Sequence, residues 1–188
     1  MSAADFPATR FSRGTITAAR VCRAATSWVD WGAPDGPDAS ALTIVHQTGA
    51  SQLEGITSAY AAAGRTATIT PFIDDMSRAF AVADLVLCRA GATTLAELTV
   101  AGKAAILVPL KSAADDHQTW NARAFVDKGA ALMLAERDLD QLASVITSLL
   151  ADPQQIVAIE ERSRALGRAD AAARVADLIE PWLGGDRA

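Results

Sequence analysis

The sequence predicts an α/β fold: a parallel sheet with helices on both faces, followed by a helical C-terminal tail. Three observations predict it. Short apolar runs alternate with helical stretches between Leu42 and Leu134. Those runs are apolar on both faces, which a strand covered by helices on both sides requires. Three of the helical stretches close on a glycine, at Gly64, Gly102 and Gly129, before the next run begins. Strands joined by helices in this order imply βαβ units and parallel pairing.

Taken in order, Leu42–His46 reads as a strand and Ser51–Ala63 as an alanine-rich helix. Thr66–Thr70 is β-branched and reads as a strand ending at Pro71. Asp74–Ala83 has the acidic start of a helix. Leu85–Cys88 reads as a strand, Thr94–Ala101 as a helix, and Ala104–Val108 as a strand broken by Pro109. Gln118–Lys128 is helical and Ala130–Leu134 is the last strand. Three helices close the chain, over Leu139–Leu150, Pro153–Leu166 and Ala169–Leu183. Asp138 and Gln141 have capping-box spacing before the first, and Pro153 suits the first helical position of the second. The first 40 residues show no clean strand or helix pattern and are expected to form a divergent or truncated segment, ahead of a ligand-binding domain over residues 41–188.

Whole-chain numbers narrow the function. The 188 residues suit one domain, or one domain with a helical tail. They are 51% apolar and 21% charged, which is globular rather than disordered. Net charge is −5 with no Lys/Arg block, so nucleic acid is not expected as a partner. No apolar run approaches a membrane span, and the N-terminus lacks the order of a secretory signal. Cys22 and Cys88 have no metal-like spacing and read as buried small hydrophobes. A cytoplasmic protein is the default.

Most of the polar chemistry lies between Asp84 and Asn121. Ligands of open α/β sheets bind at the carboxyl ends of the strands. The loops His46–Ala50, Arg89–Thr94 and Lys111–Gln118 leave such ends, as does Pro71–Phe72. In Gly91-Ala92-Thr93-Thr94, a glycine turn meets a helix N-terminus, whose free N–H groups and partial positive charge suit a phosphate. The structural alternative is a capping box of Thr94 with Glu97. Glu97 could instead accept two hydrogen bonds from a ribose diol. Asp115, Asp116, His117, Gln118 and Asn121 offer the paired donors and acceptors a sugar needs, or simply cap a helix. His117 is the candidate general base, against the ordinary reading of an exposed histidine. The adjacent aspartates find no third ligand at useful spacing, so no metal is expected. Arg89 has two readings, a structural ion or a partner for a diphosphate. His46-Gln47-Thr48-Gly49 is either a phosphate contact or a strand-to-helix turn.

Five segments then occur in order and in register: VHQTG (45–49), TPFIDDM (70–76), CRAGATTLAEL (88–98), ILVPL (106–110) and DDHQTWNA (115–122). Together they resemble the C-terminal, donor-binding domain of the MurG-type glycosyltransferases, over about residues 42–183. That family transfers N-acetylglucosamine from its UDP derivative to lipid-linked muramyl-pentapeptide. The resemblance implies a Rossmann-like domain, one half of a GT-B glycosyltransferase. It implies direct displacement at the anomeric carbon, with UDP leaving onto helix-end amides rather than a metal, and no cofactor. Residue by residue, Phe72 and Ile73 would lie by the uracil, with backbone groups reading its edge. Thr93 and Thr94 would meet the diphosphate, and Glu97 the ribose. Gln118, with His117 and Asn121 beside it, would read the sugar.

The chain also departs from the family. The acceptor-binding half, with its glycine-rich loop and base, has no counterpart here. So no catalytic residue is expected in this chain beyond the candidate His117, and membrane contact is expected only through that half. Where the family opens its donor domain with GGSxGA, this chain has Arg10-Phe11-Ser12-Arg13-Gly14-Thr15. Ser12 and Gly14 fit, while Arg10 and Phe11 replace two glycines. Three readings stay open: the donor half of the hexosyltransferase, a UDP-sugar-binding subunit served by a separate acceptor chain, or an inactive fragment.

Overall fold

A computed structural model describes residues 14–18, 42–110 and 116–183. Its centre is a six-stranded, all-parallel sheet of order β3-β2-β1-β4-β5-β6. The strands are β1 (Gly14–Ala18), β2 (Leu42–Gln47), β3 (Thr68–Thr70), β4 (Leu85–Cys88), β5 (Ala105–Leu107) and β6 (Leu132–Met133). This is the Rossmann order, in which strand succession reverses at β1. The helices are α1 (Leu53–Ala62), α2 (Met76–Val82), α3 (Ala92–Ala101), α4 (His117–Val126), α5 (Leu142–Ala151), α6 (Pro153–Leu166) and α7 (Ala171–Leu183). The α/β class, the parallel sheet and the helical tail are as the sequence predicts.

Alternation along the central strands divides the core. Leu85 and Leu87 of β4 point into one cluster with Ile44, Ile56, Ile106, Ile146 and Ile156. Val86 and Cys88 point into the other, with Phe80, Leu95, Leu98, Leu107 and Ala122. So α1, α5 and α6 contribute to one cluster, and α2, α3 and α4 to the other. Burying each Leu or Ile contributes about 1.5–3 kcal/mol, which is why the four residues of β4 need no polar partner. Helix α3 ends in a left-handed Gly102 (φ 61°), with Lys103 N–H donating to Leu98 O. At that end Lys103 Nζ donates to the Ala83 carbonyl at 2.9 Å and lies 3.6 Å from Glu160 of α6. The amino-terminal end of α3 is thereby left to the opposite rim of the sheet.

Several expectations are corrected. The first 40 residues do contain a strand: Gly14–Ala18 pairs with β2 and β4 at the centre of the sheet. Gly14 and Thr15 open that strand at its amino end, whereas the resemblance put them in the glycine-loop position; Ser12 lies outside the described residues. Asp138 and Gln141 form no capping box, because Glu136–Gln141 is a 3-10 turn with no side-chain cap. Helix α3 starts at Ala92 with Gly91 as its N-cap, two residues before Thr94. Asp75, rather than Asp74, caps α2, its Oδ1 accepting from Arg78 N–H at 2.8 Å.

Candidate functional site

At the carboxyl ends of β2, β3 and β4 lies a cavity of about 290 Å³. It is lined by Gln47, the Phe72–Asp74 loop, Met76 and Phe80 of α2, and Thr93, Thr94 and Glu97 of α3. Each wall follows from the sheet. Gln47 is the last residue of β2, Phe72 and Ile73 follow β3, and the Arg89–Gly91 turn carries β4 into α3. Of the sequence-predicted residues, Phe72, Ile73, Thr93, Thr94 and Glu97 therefore share one space.

The α3 wall brings an uncapped helix N-terminus, with its partial positive charge, to the cavity. The first intrahelical bond runs from Leu95 N–H to Gly91 O, so the amides of Ala92, Thr93 and Thr94 precede the ladder. Gly91 is not needed for its backbone angle, since its φ is −69°. Among the described residues, a β-carbon added there would meet only Thr94 Oγ1, at 4.0 Å. Among the described residues nothing requires glycine at this turn. The capping-box alternative for Thr94 and Glu97 fails, because α3 makes no side-chain cap and Thr94 lies inside the helix. Glu97 is exposed on the second turn and lines the cavity.

The Phe72–Ile73 loop is held from two sides. Thr70 Oγ1 donates to Phe72 O at 2.7 Å, and Ile73 N–H donates to Gln47 Oε1 at 2.9 Å. Gln47 thus takes the Ile73 N–H, one of the backbone groups the resemblance sets beside the uracil. Thr48 and Gly49 fasten the same region, their amides donating to Thr70 O and Pro71 O. Thr48 is 3% exposed, and Gly49 takes φ 78°, ψ 154°, a region open to glycine alone. The His46–Gly49 segment is thus a structural turn, except that Gln47 faces the cavity.

The other expected residues stand beside this space rather than in its wall. His117 and Gln118 open α4 and Asn121 follows one turn later. Gln118 Oε1 accepts from Leu110 N–H at 3.0 Å, which leaves its Nε2 donors. Asn121 Nδ2 donates to Ala90 O at 3.1 Å, next to the glycine turn. His117 is exposed. Asp116 sits at the N-cap position with φ 52°, but its carboxylate accepts from Thr119 Oγ1 instead of capping α4. Asp115 lies outside the described residues. Arg89 is structural: it forms a 2.7 Å ion pair with Glu136 and donates to Val108 O at 3.1 Å, tying the ends of β4 and β5 together.

Burial shifts two titratable side chains near the strand ends. Cys88 is fully buried, and burial, then the Glu97 charge, pushes its thiol up to about 12. It is the small hydrophobe the sequence suggests; Cys22 lies outside the described residues. His46 is 1% exposed, its Nδ1 lies 3.2 Å from Tyr60 Oη, and burial lowers it to about 4. Among the described residues no group of three His, Cys, Asp or Glu side chains could hold a metal ion. The sequence offers Asp74, Met76 and Phe80 no site role, and offers Gln47 only as part of a phosphate contact or a strand-to-helix turn, yet all four line the cavity. The signal for Gln47 was present: it is a polar side chain on a buried strand, on the face opposite Ile44 and His46.

A parallel sheet in Rossmann order, with a cavity at its strand ends and an uncapped helix terminus in the wall, places the chain among the Rossmann-like α/β domains. Comparison with known proteins narrows the class. The glycosyltransferase family 28 C-terminal domain matches residues 17–179, and the chain belongs to that family. A UDP-N-acetylglucosamine–N-acetylmuramyl-(pentapeptide) pyrophosphoryl-undecaprenol N-acetylglucosamine transferase of Myxococcus xanthus is 51% identical over 148 residues, 75% of this chain and 39% of that protein. Its counterpart in Syntrophotalea carbinolica is 49% identical, over 77% of this chain and 41% of that protein. The crystal structure of Acinetobacter baumannii MurG superposes with a TM-score of 0.76 at 32% identity, covering 96% of this chain and 54% of that one. The chain thus spans about two-fifths of the length of these two curated relatives.

Proposed function

We propose that this chain is the donor half of a hexosyltransferase, binding UDP-N-acetylglucosamine for transfer to lipid-linked muramyl-pentapeptide in peptidoglycan synthesis. The observation that carries the reading is the strand-end cavity, where Thr93 and Thr94 of the uncapped α3 terminus share a wall with Glu97 and the Phe72–Ile73 loop. The family membership and the relatives' names support it.

In this reading the first-turn amides of α3 receive the diphosphate. Their aligned dipoles stabilise charge as it develops on the departing UDP, without reorganising at the moment of reaction. Glu97 accepts from the ribose hydroxyls. Phe72 flanks the base, and Met76 and Phe80 form an apolar floor. Gln118 and Asn121, with His117 beside them, meet the sugar from the start of α4. The reacting hydroxyl and its base come from an acceptor-binding domain or separate chain.

One observation favours that second component. Val175, Leu178, Ile179 and Trp182 form an i, i+3, i+4, i+7 stripe along α7, and all four are exposed, Trp182 by 85%. Such a stripe is the face a helix normally buries. No single helix among the described residues is long and apolar enough to cross a membrane. Location at the inner face of the plasma membrane, through the acceptor component, follows from the function proposed.

The test is direct. Titration of the chain with UDP-N-acetylglucosamine should show saturable binding, and labelled donor plus lipid acceptor should show little transfer by the chain alone. No binding by the folded chain contradicts the donor role, and robust turnover contradicts the half-enzyme reading.

A further inference from the structure

We infer that the groove between α2 and α3 is a second binding site, which takes a single-chain anionic amphiphile with its alkyl chain on the apolar helix faces and its head at Arg164. The inference goes beyond the strand-end cavity and does not depend on what that cavity binds.

The groove encloses about 970 Å³, a size typical of small-molecule sites, and its lining is mostly apolar. Its walls belong to two neighbouring helices. Met76 and Phe80, one turn apart on α2, line one side, and Ala96 and Val100, one turn apart on α3, line the other. The alanine side chains that line it are too short to fill the space between the helices. Met76, Phe80 and Glu97 line the strand-end cavity as well, so the two spaces adjoin.

Charge gives the groove a direction. Arg164 of α6 lines it where α3 ends. Its guanidinium is seated on Gly102, where an added β-carbon would meet Nε at 2.6 Å. Nη2 reaches the Gly102 carbonyl at 3.5 Å, and Arg164 makes no ion pair among the described residues. Lys103 lines the same end and shares its charge with Glu160 at 3.6 Å. Glu97 lines the groove about 7–8 Å back along the α3 axis from Gly102 and disfavours a second anion there. An anionic head therefore sits by Arg164, and the chain runs toward Met76 and Phe80. Each buried methylene strengthens binding about fourfold, whereas a solvent-accessible ion pair adds up to about fivefold. The chain thus supplies most of the affinity, and Arg164 the preference for an anion.

The experiment is isothermal titration of the full chain with dodecyl phosphate below its micelle concentration, for the wild type, Arg164→Gln and Val100→Asp. Dodecyl maltoside presents the same chain without the anion, inorganic phosphate the anion without the chain, and melting curves are recorded without ligand. The wild type is expected to bind dodecyl phosphate at one saturable site and dodecyl maltoside about fivefold more weakly. Neither inorganic phosphate nor UDP should displace dodecyl phosphate. Arg164→Gln should bind dodecyl phosphate no better than dodecyl maltoside and leave UDP affinity unchanged. Val100→Asp sets a charge against the chain and should weaken both amphiphiles about tenfold or more. Val100 is 55% exposed, so this variant still decides if Arg164→Gln does not fold. Absence of saturable binding, binding only above the micelle concentration, equal affinity for the two amphiphiles, displacement by UDP, or variants that keep the wild-type affinities would each overturn the inference. Any of these with UDP still bound leaves the donor reading standing, and loss of UDP binding alone contradicts only that reading.

Discussion

Replacing Glu97 with alanine separates a ligand-binding carboxylate from a helix cap. Were Glu97 a capping residue, its loss would lower the stability of the free chain by about 1 kcal/mol. The structure gives it no capping role, since α3 starts at Ala92 with no side-chain cap and Glu97 lies exposed on the second turn. Free Glu97→Ala should therefore melt within about 0.5 kcal/mol of the wild type, as surface substitutions do. The ligand-bound protein should behave differently. A hydrogen bond to a charged group contributes about 1.5–3 kcal/mol, so its loss raises Kd roughly ten- to a hundredfold. At a UDP concentration about a hundredfold above the wild-type Kd, binding stabilises the wild type by about 2.7 kcal/mol. At that same concentration the variant should gain only about 0.4–1.4 kcal/mol. For a domain of this size, each kcal/mol moves the melting midpoint by roughly 2–4 °C, so the loss is readable by calorimetry or dye-based melting. An undiminished ligand-induced shift in Glu97→Ala would refute the ribose role. A clear loss of stability without ligand would restore the structural reading.

Three further outcomes are expected. Gly91→Ala should leave the melting midpoint of the free chain nearly unchanged, because its β-carbon meets nothing closer than Thr94 Oγ1 at 4.0 Å, but should weaken UDP in titration; unchanged affinity would mean that no ligand approaches this turn. Glu136→Gln should destabilise the chain in urea melts by about 1–3 kcal/mol, since it removes the charge paired at 2.7 Å with a largely buried Arg89; full retention of stability would show that the pair holds nothing together. The wild type should lose stability as pH falls from about 6.5 to about 4, by up to about 3 kcal/mol from His46 alone. The sign follows from burial: below 6.5 the unfolded state takes up a proton that the folded state refuses. His46→Gln should flatten that part of a pH series of melts, and an equally steep variant would place the proton uptake elsewhere.

Much of this molecule is legible in its sequence, for definite reasons. Leu85–Cys88 and Pro153–Leu166 are marked at both ends, by residues buried on both faces in one case and by proline and glycine in the other. β1 escapes such reading. Gly-Thr-Ile-Thr-Ala is five residues long and carries one large apolar side chain, so its place at the centre of the sheet comes from pairing with β2 and β4 rather than from local propensity. The start of α3 is displaced for a related reason. Thr94 and Glu97 have capping spacing, but the turn after β4 closes at Gly91, and Leu95 N–H bonds there first. The site is legible as a set of loops at one rim. Which side chains enter the cavity is set by pairings between those loops, such as Gln47 with Ile73, and spacing along the chain does not encode them.

The central claim is that the cavity between β2, β3 and α3 holds a uridine diphosphate on the first-turn amides of α3. A crystal structure of the chain grown with saturating UDP tests it most directly. Phosphate oxygens are expected within hydrogen-bond distance of the Thr93 and Thr94 amides, with the ribose against Glu97. Well-ordered protein with that cavity empty, or with UDP bound elsewhere on the chain, would contradict it.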